Sequence, residues 1–399
     1  MSLNSTPSGE RPHIAFFGLR NAGKSSLVNA VTNQRLSVVS DTPGTTTDPV
    51  KKAMELLPLG PVVIIDTPGF DDEGALGELR VETARRVLAQ ADIAVLAVDA
   101  GKGLGAVDEE LLSMFRARNL PFVVAFNKAD TLQTRPELGA DALYVSALTG
   151  ENIHALKERL AALLAQPKQE KHLVSDLLSP GDTALLVIPI DKAAPKGRLI
   201  LPQQQVMRDL LDGGFAFTTC RETELSQTLG QLKTPPALVI TDSQVFSRVA
   251  ATVPESLALT SFSILFARYK GDLPLLLKGA EKLSALRDGD TVLISEGCTH
   301  HRQCGDIGTE KLPAWIKNHT GKDLRFAFTS GGDFPDDLSP FSLVVHCGGC
   351  MLNEREMQYR YRCAADQNVP MTNYGLCIAY VHGILKRSLS VFPDLAEKV

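Results

Sequence analysis

The chain has 399 residues, 44% of them hydrophobic and 22% charged, a balance that supplies sizeable cores and excludes wholesale disorder. At about 150 residues per domain, this length predicts two or three domains. Forty-one basic against 46 acidic side chains leave a net charge of −5 with no block of like charge, so composition favours neither a nucleic-acid nor an anionic-membrane surface, and no apolar run reaches the ~18 residues of a membrane span.

In chain order, the polar opening MSLNSTPSGERPH reads as a short flexible arm and not as a signal peptide, which makes a cytoplasmic location the expectation. Apolar runs at His13–Phe17, Val62–Ile65, Ile93–Val98, Phe122–Phe126 and Leu143–Val145 then predict short buried strands. Helical patterns at Gly23–Val31, Leu79–Ala89, Val107–Arg118 and Asn152–Leu164 separate them. Strands alternating with helices predict a mostly parallel sheet covered on both faces. Residues 166–182 are polar with two prolines and read as a linker or connecting helix. A second alternation places strands at Leu185–Ile190, Phe215–Thr219, Ala237–Thr241 and Leu257–Thr260, with helices at Gln203–Leu211, Glu222–Leu232 and Ser243–Ala251. A third opens with a helix at Leu273–Leu286 and continues with strands at Thr291–Ser295, Leu324–Phe328 and Phe341–Val345. The expectation is α/β throughout, in three domains: a nucleotide-binding domain over 1–168, a middle dimerisation domain over 169–265 and a metal-binding domain over 266–399.

Gly18-Leu-Arg-Asn21-Ala22-Gly23-Lys24-Ser25 fits the phosphate-binding loop G-x-x-x-x-G-K-[ST] and lies between a predicted strand and a predicted helix. Backbone N–H groups of residues 18–26, Ser26 included, and the helix N-terminus favour phosphate there. Lys24 is expected to reach the β and γ phosphates and the Ser25 hydroxyl to bind Mg²⁺. Asp66-Thr-Pro-Gly69 ends a strand; Asp66 suits the surroundings of Mg²⁺ and the Gly69 N–H the γ-phosphate. Asn127-Lys128-Ala-Asp130 ends another. A carboxylate at Asp130 accepts two N–H groups of a guanine edge, which adenine does not offer. Ser146-Ala147-Leu148 can then cap the guanine O6 through backbone N–H groups. All four motifs sit at strand ends, where parallel sheets bind ligands, so GTP/GDP is the expected ligand. Between them, Asp41-Thr-Pro-Gly-Thr-Thr46-Thr-Asp48 offers Thr46 as a switch residue that completes the Mg²⁺ shell when the γ-phosphate is present.

Residues 11–165 resemble the TrmE–Era class of GTPases. Phe70 stands where Ras-type GTPases carry the glutamine that orients water, so slow intrinsic hydrolysis is expected. The resemblance further implies that Asn21 holds an activating K⁺ against the phosphates. That class has Gly-Thr-Thr-Arg-Asp in its switch; this chain has Gly44-Thr-Thr-Thr-Asp48 and lacks the arginine.

Six of the seven cysteines fall between Cys298 and Cys377. With no export signal in the sequence, reduced thiols are expected rather than disulfides. Cys298-Thr-His300 follows one predicted strand and His346-Cys347-Gly-Gly-Cys350 follows another. If those strands are parallel members of one sheet, three thiolates and up to two imidazoles converge at one edge. The residues suit a Cys₃His zinc site or a cubane iron–sulfur cluster with one exchangeable iron. Cys363, Cys377 and Cys220 read as small core hydrophobes, Cys304 as a loop residue near the site and His301 as solvated.

A GTPase domain, a middle domain and then Cys-x-His…His-Cys-x-x-Cys resemble the [FeFe]-hydrogenase maturation GTPase family, HydF, across nearly the whole chain; Pro189–Pro202 also looks like that family's middle domain. The resemblance implies a [4Fe-4S] cluster; Cys298, Cys347 and Cys350 are its expected ligands, with His300, His346, a nearby carboxylate or solvent at the fourth iron. It implies a transient diiron subcluster as cargo, two radical-SAM maturases and apo-[FeFe]-hydrogenase as partners, and a homodimer through the middle domain. The alternative function is a ribosome-assembly or RNA-modification GTPase with a zinc module. A redox or sensory protein that uses the cluster itself is a further rival.

Overall fold

Uninterrupted apolar strands require cover on both faces, and the first sheet has it. A computed structural model describes residues 8–34, 49–69, 76–165, 171–190, 199–297 and 306–397. The chain divides into two units, 1–169 and 170–399. In the first, β1 (His13–Gly18), β2 (Val50–Leu56), β3 (Gly60–Asp66), β4 (Ile93–Asp99), β5 (Phe122–Asn127) and β6 (Ala142–Tyr144) form one sheet in the order β2-β3-β1-β4-β5-β6. All neighbours are parallel except β2 against β3. Alternation along β1 divides the core. Ile14 and Phe16 pack with Leu27, Val28 and Leu156 on one face, and Ala15 and Phe17 with Val87, Leu111 and Phe115 on the other. The helices Lys24–Thr32 and Ile153–Leu164 supply the first layer, and Leu76–Gln90 and Ala106–Ala117 the second.

The sequence reading did not identify β2. Its residues VKKAMEL are mostly exposed, so no buried alternation marks them; an antiparallel edge strand with one wet face looks polar.

The second unit holds two parallel four-stranded sheets. β7 (Thr183–Val187), β8 (Ala216–Cys220), β9 (Leu238–Thr241) and β10 (Ala258–Ser261) lie in the order β10-β9-β7-β8. β11 (Thr291–Glu296), β12 (Arg325–Ser330), β13 (Leu343–His346) and β14 (Met371–Asn373) lie in the order β12-β11-β13-β14. The two sheets share the helix Phe262–Lys270. Its Phe262, Leu265 and Phe266 enter the core of the first sheet, and its Ile264 and Ala267 enter that of the second. The Ser261 hydroxyl caps this helix by accepting the Ile264 N–H at 3.3 Å.

Two expectations change in detail. The described part of the 166–182 segment is no helix: it carries a single 3-10 turn, Ser175–Leu177, and buries Leu173 and Val174 in the core. The helix expected over 273–286 is α-helical only for Leu273–Glu281 and tightens to 3-10 geometry over Lys282–Ala285.

Candidate nucleotide and metal sites

The phosphate loop owes its shape to two close approaches. Gly23 has φ +80°, and a β-carbon there would stand 2.3 Å from Asn127 Nδ2; one on Gly18 would stand 2.4 Å from the Ala97 carbonyl oxygen. Only glycine fits either place. Asn127 closes this contact by donating from Nδ2 to the carbonyls of Ala22 (3.1 Å) and Gly23 (3.3 Å). Lys128 Nζ donates to the Asn21 carbonyl and to Asp99 Oδ2, both at 2.7 Å. The Asn127–Asp130 motif therefore buttresses the phosphate loop. Asn21 itself has φ 65°, a left-handed conformation that asparagine tolerates. Burial works to raise the Asp99 pKa, but the hydrogen bond from Lys128, the Gly101 N–H and the charges of Lys128 and Lys102 hold it below its ordinary value.

Lys24, buried at 6% exposure, forms an ion pair with Asp66, and Ser25 Oγ donates to Asp66 Oδ2 at 3.4 Å. Three residues expected to meet phosphate and Mg²⁺ thus converge. Gly69 lies against the loop, where a β-carbon would be 3.3 Å from Arg20 Cα. At the residues expected to meet guanine, Ser146 Oγ donates to Asp130 Oδ1 at 2.5 Å, which orients that carboxylate. Ser146 and Ala147 donate their backbone N–H groups to Glu151 O and Asn127 Oδ1. Leu148, 86% exposed, is the member of the triplet turned to solvent. Thr46 and Phe70 lie outside the described residues.

In the second unit, β11 and β13 are adjacent and parallel, with Ser295 opposite His346. The condition for convergence is met: Gly297, the residue before Cys298, donates its N–H to Cys347 Sγ at 3.0 Å. Gly349 N–H donates to the same sulfur at 3.4 Å. Cys298, His300, His301 and Cys304 themselves lie outside the described residues. Among the described residues, no group of three or more His, Cys, Asp or Glu side chains is gathered as a metal site.

Burial raises the pKa of both loop thiols. Cys350 is pushed to about 11 by burial and by Cys347, with Lys270 acting in the opposite sense; Cys347 is raised by burial against the two N–H bonds and the charge of Arg360. A metal ion would therefore have to displace the protons. The two amides aimed at Cys347 Sγ and the two buried cations suit a thiolate ligand of an anionic cluster, so the donor chemistry fits an iron–sulfur group.

Both ring nitrogens of fully buried His346 are engaged. Nδ1 donates to the Cys347 carbonyl at 2.7 Å, and Nε2 accepts from Arg360 Nη1 at 2.9 Å. Burial, and then Arg360, lowers its pKa to about 3, so the ring is neutral. Arg360, 1% exposed, also donates to Gly331 O and to Glu356 Oε1 and stacks 5.0 Å from the Phe334 ring centroid. Sequence reasoning missed Arg360, Glu356 and Lys270. Neither spacing nor composition marks them, because their partners lie between 4 and 82 positions away in the chain. Cys377 is fully buried in the core, Cys363 packs against that of the neighbouring sheet face, and Cys220 packs beside β7 and β9.

A family model described as the hydrogen maturase F dimerization domain matches residues 173–271, and one described as the hydrogen maturase F tetramerization domain matches 274–391; a 50S ribosome-binding GTPase model matches 13–128. The tRNA modification GTPase MnmE of Nitratidesulfovibrio vulgaris is 36% identical over 159 residues, covering 38% of this chain and 34% of that protein. GTPase Der of Clostridium perfringens is 31% identical over 172 residues, covering 40% and 39%. The chain thus spans little more than a third of these curated relatives. Among solved structures, Era with MgGDPNP and a 16S ribosomal RNA segment is 20% identical with a TM-score of 0.35, covering 53% of this chain and 91% of that one. A probable GTP-binding protein engB is 25% identical with a TM-score of 0.30, covering 38% and 98%. With a GTPase domain followed in order by matches to the dimerization and tetramerization domains of hydrogen maturase F, the chain belongs to the HydF family of hydrogenase-maturation GTPases.

Proposed function

We propose that this protein hydrolyses GTP to GDP and phosphate and serves as a scaffold that carries a [4Fe-4S] cluster, receives a diiron precursor and delivers it to apo-[FeFe]-hydrogenase. The observation that carries the cluster reading is the parallel β11–β13 pair, which sets Gly297 against the sulfur of Cys347. Cys298, Cys347 and Cys350 would hold the cluster, whose chemistry is to offer an iron site open to exchange. His300 is a candidate for that site; His346 would have to surrender its bond to Arg360 to reach it. We assign functional domains to 1–168, 169–265 and 266–399. A dimer through the middle domain, a tetramer through the last one and contact with two radical-SAM maturases are part of this reading, as is a cytoplasmic location. No helix among the described residues is long and apolar enough to cross a membrane.

In the nucleotide site, Lys24 would exchange its Asp66 partner for phosphate oxygens. Asp66 would then turn to water around a Mg²⁺ held by Ser25 and Thr46. Gly69 would present its N–H to the γ-phosphate and Asp130 would read the guanine edge. Without a glutamine at position 70, a K⁺ held by Asn21 would supply charge beside the transferring phosphoryl group.

The deciding experiment is anaerobic activation of apo-[FeFe]-hydrogenase by the loaded protein, with serine in turn at Cys298, Cys347 and Cys350. Loss of iron and sulfide together with loss of activation is expected for each. Activation by a protein carrying zinc in place of iron would refute the reading. Turnover in K⁺ is expected to exceed turnover in Na⁺, and Asn21→Ala to erase the difference.

A further inference from the structure

A lysine side chain is almost never fully buried without a built set of acceptors. Lys270 is 3% exposed. Its Nζ donates to three backbone carbonyls of the segment that follows Cys347: Gly349 at 3.0 Å, Cys350 at 3.2 Å and Leu352 at 2.8 Å. An ammonium has three N–H donors, and all three carbonyls lie within hydrogen-bond distance of it. A peptide plane points its N–H opposite to its carbonyl. The planes whose Gly349 and Cys350 carbonyls meet Lys270 carry the N–H groups of Cys350 and Met351, and both act on the Cys350 sulfur. The loop can turn this way because Gly349 adopts φ +62°, and it is packed from behind, since a β-carbon on Gly349 would meet Met357 Sδ at 2.5 Å.

Lys270 is the last residue of the helix Phe262–Lys270 and lies within the matched dimerisation domain, 173–271, whereas the loop lies within 274–391. The fastening is double: Gln358, on the helix Glu354–Asp366 that begins just past the loop, donates Nε2 to the Lys270 carbonyl at 3.2 Å. Cys350 itself packs against the core that contains Phe262, Leu265 and Phe266.

We propose that Lys270 is a positioning residue for the cluster site: from the neighbouring domain it holds the carbonyls of the Cys347–Leu352 segment inward, so that the loop's amides face the sulfur of Cys350 and the thiols stand ready to ligate. This rests on the iron–sulfur reading of the site. The test uses the full-length protein and the variants Lys270→Met, which keeps the apolar stem but removes the donors, and Lys278→Met, an exposed control on the helix Leu273–Glu281.

Two readouts are taken. In metal-free protein, amide hydrogen exchange at 350–352 is expected to rise about 10-fold in Lys270→Met, with the β13 amides at wild-type protection. After anaerobic reconstitution, iron is expected to leave to a chelator about 10-fold faster, with the EPR signal of the reduced cluster altered. Lys278→Met is expected to match wild type in both. Wild-type behaviour of Lys270→Met in either readout overturns the proposal. If wild type itself takes up no iron and sulfide while exchange still rises, the iron–sulfur reading fails and Lys270 remains a clamp of a loop with another role. Should Lys270→Met lose β13 protection and so fail to fold, Lys270→Gln, which keeps two N–H donors without the charge, is read the same way: faster exchange at 350–352 with faster iron loss supports the proposal, and wild-type values in either overturn it.

Discussion

Asp130 is the carboxylate proposed above to read the guanine edge. Ser146 Oγ holds one of its oxygens at 2.5 Å, so the side chain is already oriented without a ligand. Hydrogen bonds to a charged acceptor contribute about 1.5–3 kcal/mol; Asp130→Asn is therefore expected to weaken GTP binding by about 10- to 100-fold and to gain affinity for xanthosine triphosphate, measured by titration calorimetry. Asp99 acts differently, as a support. Its folded pKa is below the ordinary value, so the stability from its bond to Lys128 is fully present above the unfolded pKa of about 3.8. It is lost as pH falls through the lower folded value. Acid unfolding of Asp99→Asn, followed by circular dichroism below pH 4, is expected to show a shallower pH dependence than wild type, with less stability at neutral pH. Arg360 and Glu356 form a buried pair, with side chains 1% and 9% exposed. Removing one partner strands the other charge. Arg360→Met is expected to cost about 3 kcal/mol in urea unfolding, and adding Glu356→Leu is expected to recover a large part of it.

At the scale of elements, β1 is the keystone of the first sheet, flanked by β3 and β4, with no exposed position. Phe16 is fully buried among helices and strands. Phe16→Ala is expected to destabilise this unit by about 3–5 kcal/mol, from lost transfer energy and the cavity left behind. Hydrogen exchange of β1 and β4 amides reads the loss, and nucleotide binding weakens with it because Gly18 and the phosphate loop hang from the end of the same strand. β11 and β13 serve the second site in the same way. Their parallel register decides that the loop after Glu296 and the loop after His346 leave from one edge, and the first consequence is the Gly297–Cys347 contact.

For the unit 170–399 as a whole, the shared helix Phe262–Lys270 joins the two sheets energetically. Phe266 is 2% exposed in the core of the β7–β10 sheet, while Ile264 and Ala267, on the same helix, belong to the other core. Phe266→Ala is accordingly expected to lower protection in both sheets by a similar amount, about 3 kcal/mol, in native-state hydrogen exchange. A loss confined to β7–β10 would show that the sheets open independently. The same coupling gives the cysteine loop a mechanical connection to the matched dimerisation domain through Lys270.

Fold class, most of the strands and the phosphate-loop pattern were legible in the amino-acid sequence, though not the edge strand β2. Local physics dictates them: apolar runs too long for one wet face, glycines where backbone must approach backbone, and Lys24, Asp66 and Asp130 at strand ends. The cysteines stood out as a candidate set for a related reason, since few residue types bind metal and their spacing draws attention to them. What tertiary structure alone decided is of longer range. That β11 lies beside β13, and not across the sheet from it, is a property of crossover connections that no motif records. That His346 has both nitrogens engaged follows from Arg360, 14 residues away, and that the Cys347–Leu352 segment rests on Lys270 follows from a pairing across 79 to 82 residues. A buried cation contributes nothing to hydrophobic periodicity, and its acceptors are backbone carbonyls, which every residue possesses; only folding selects which three will face it.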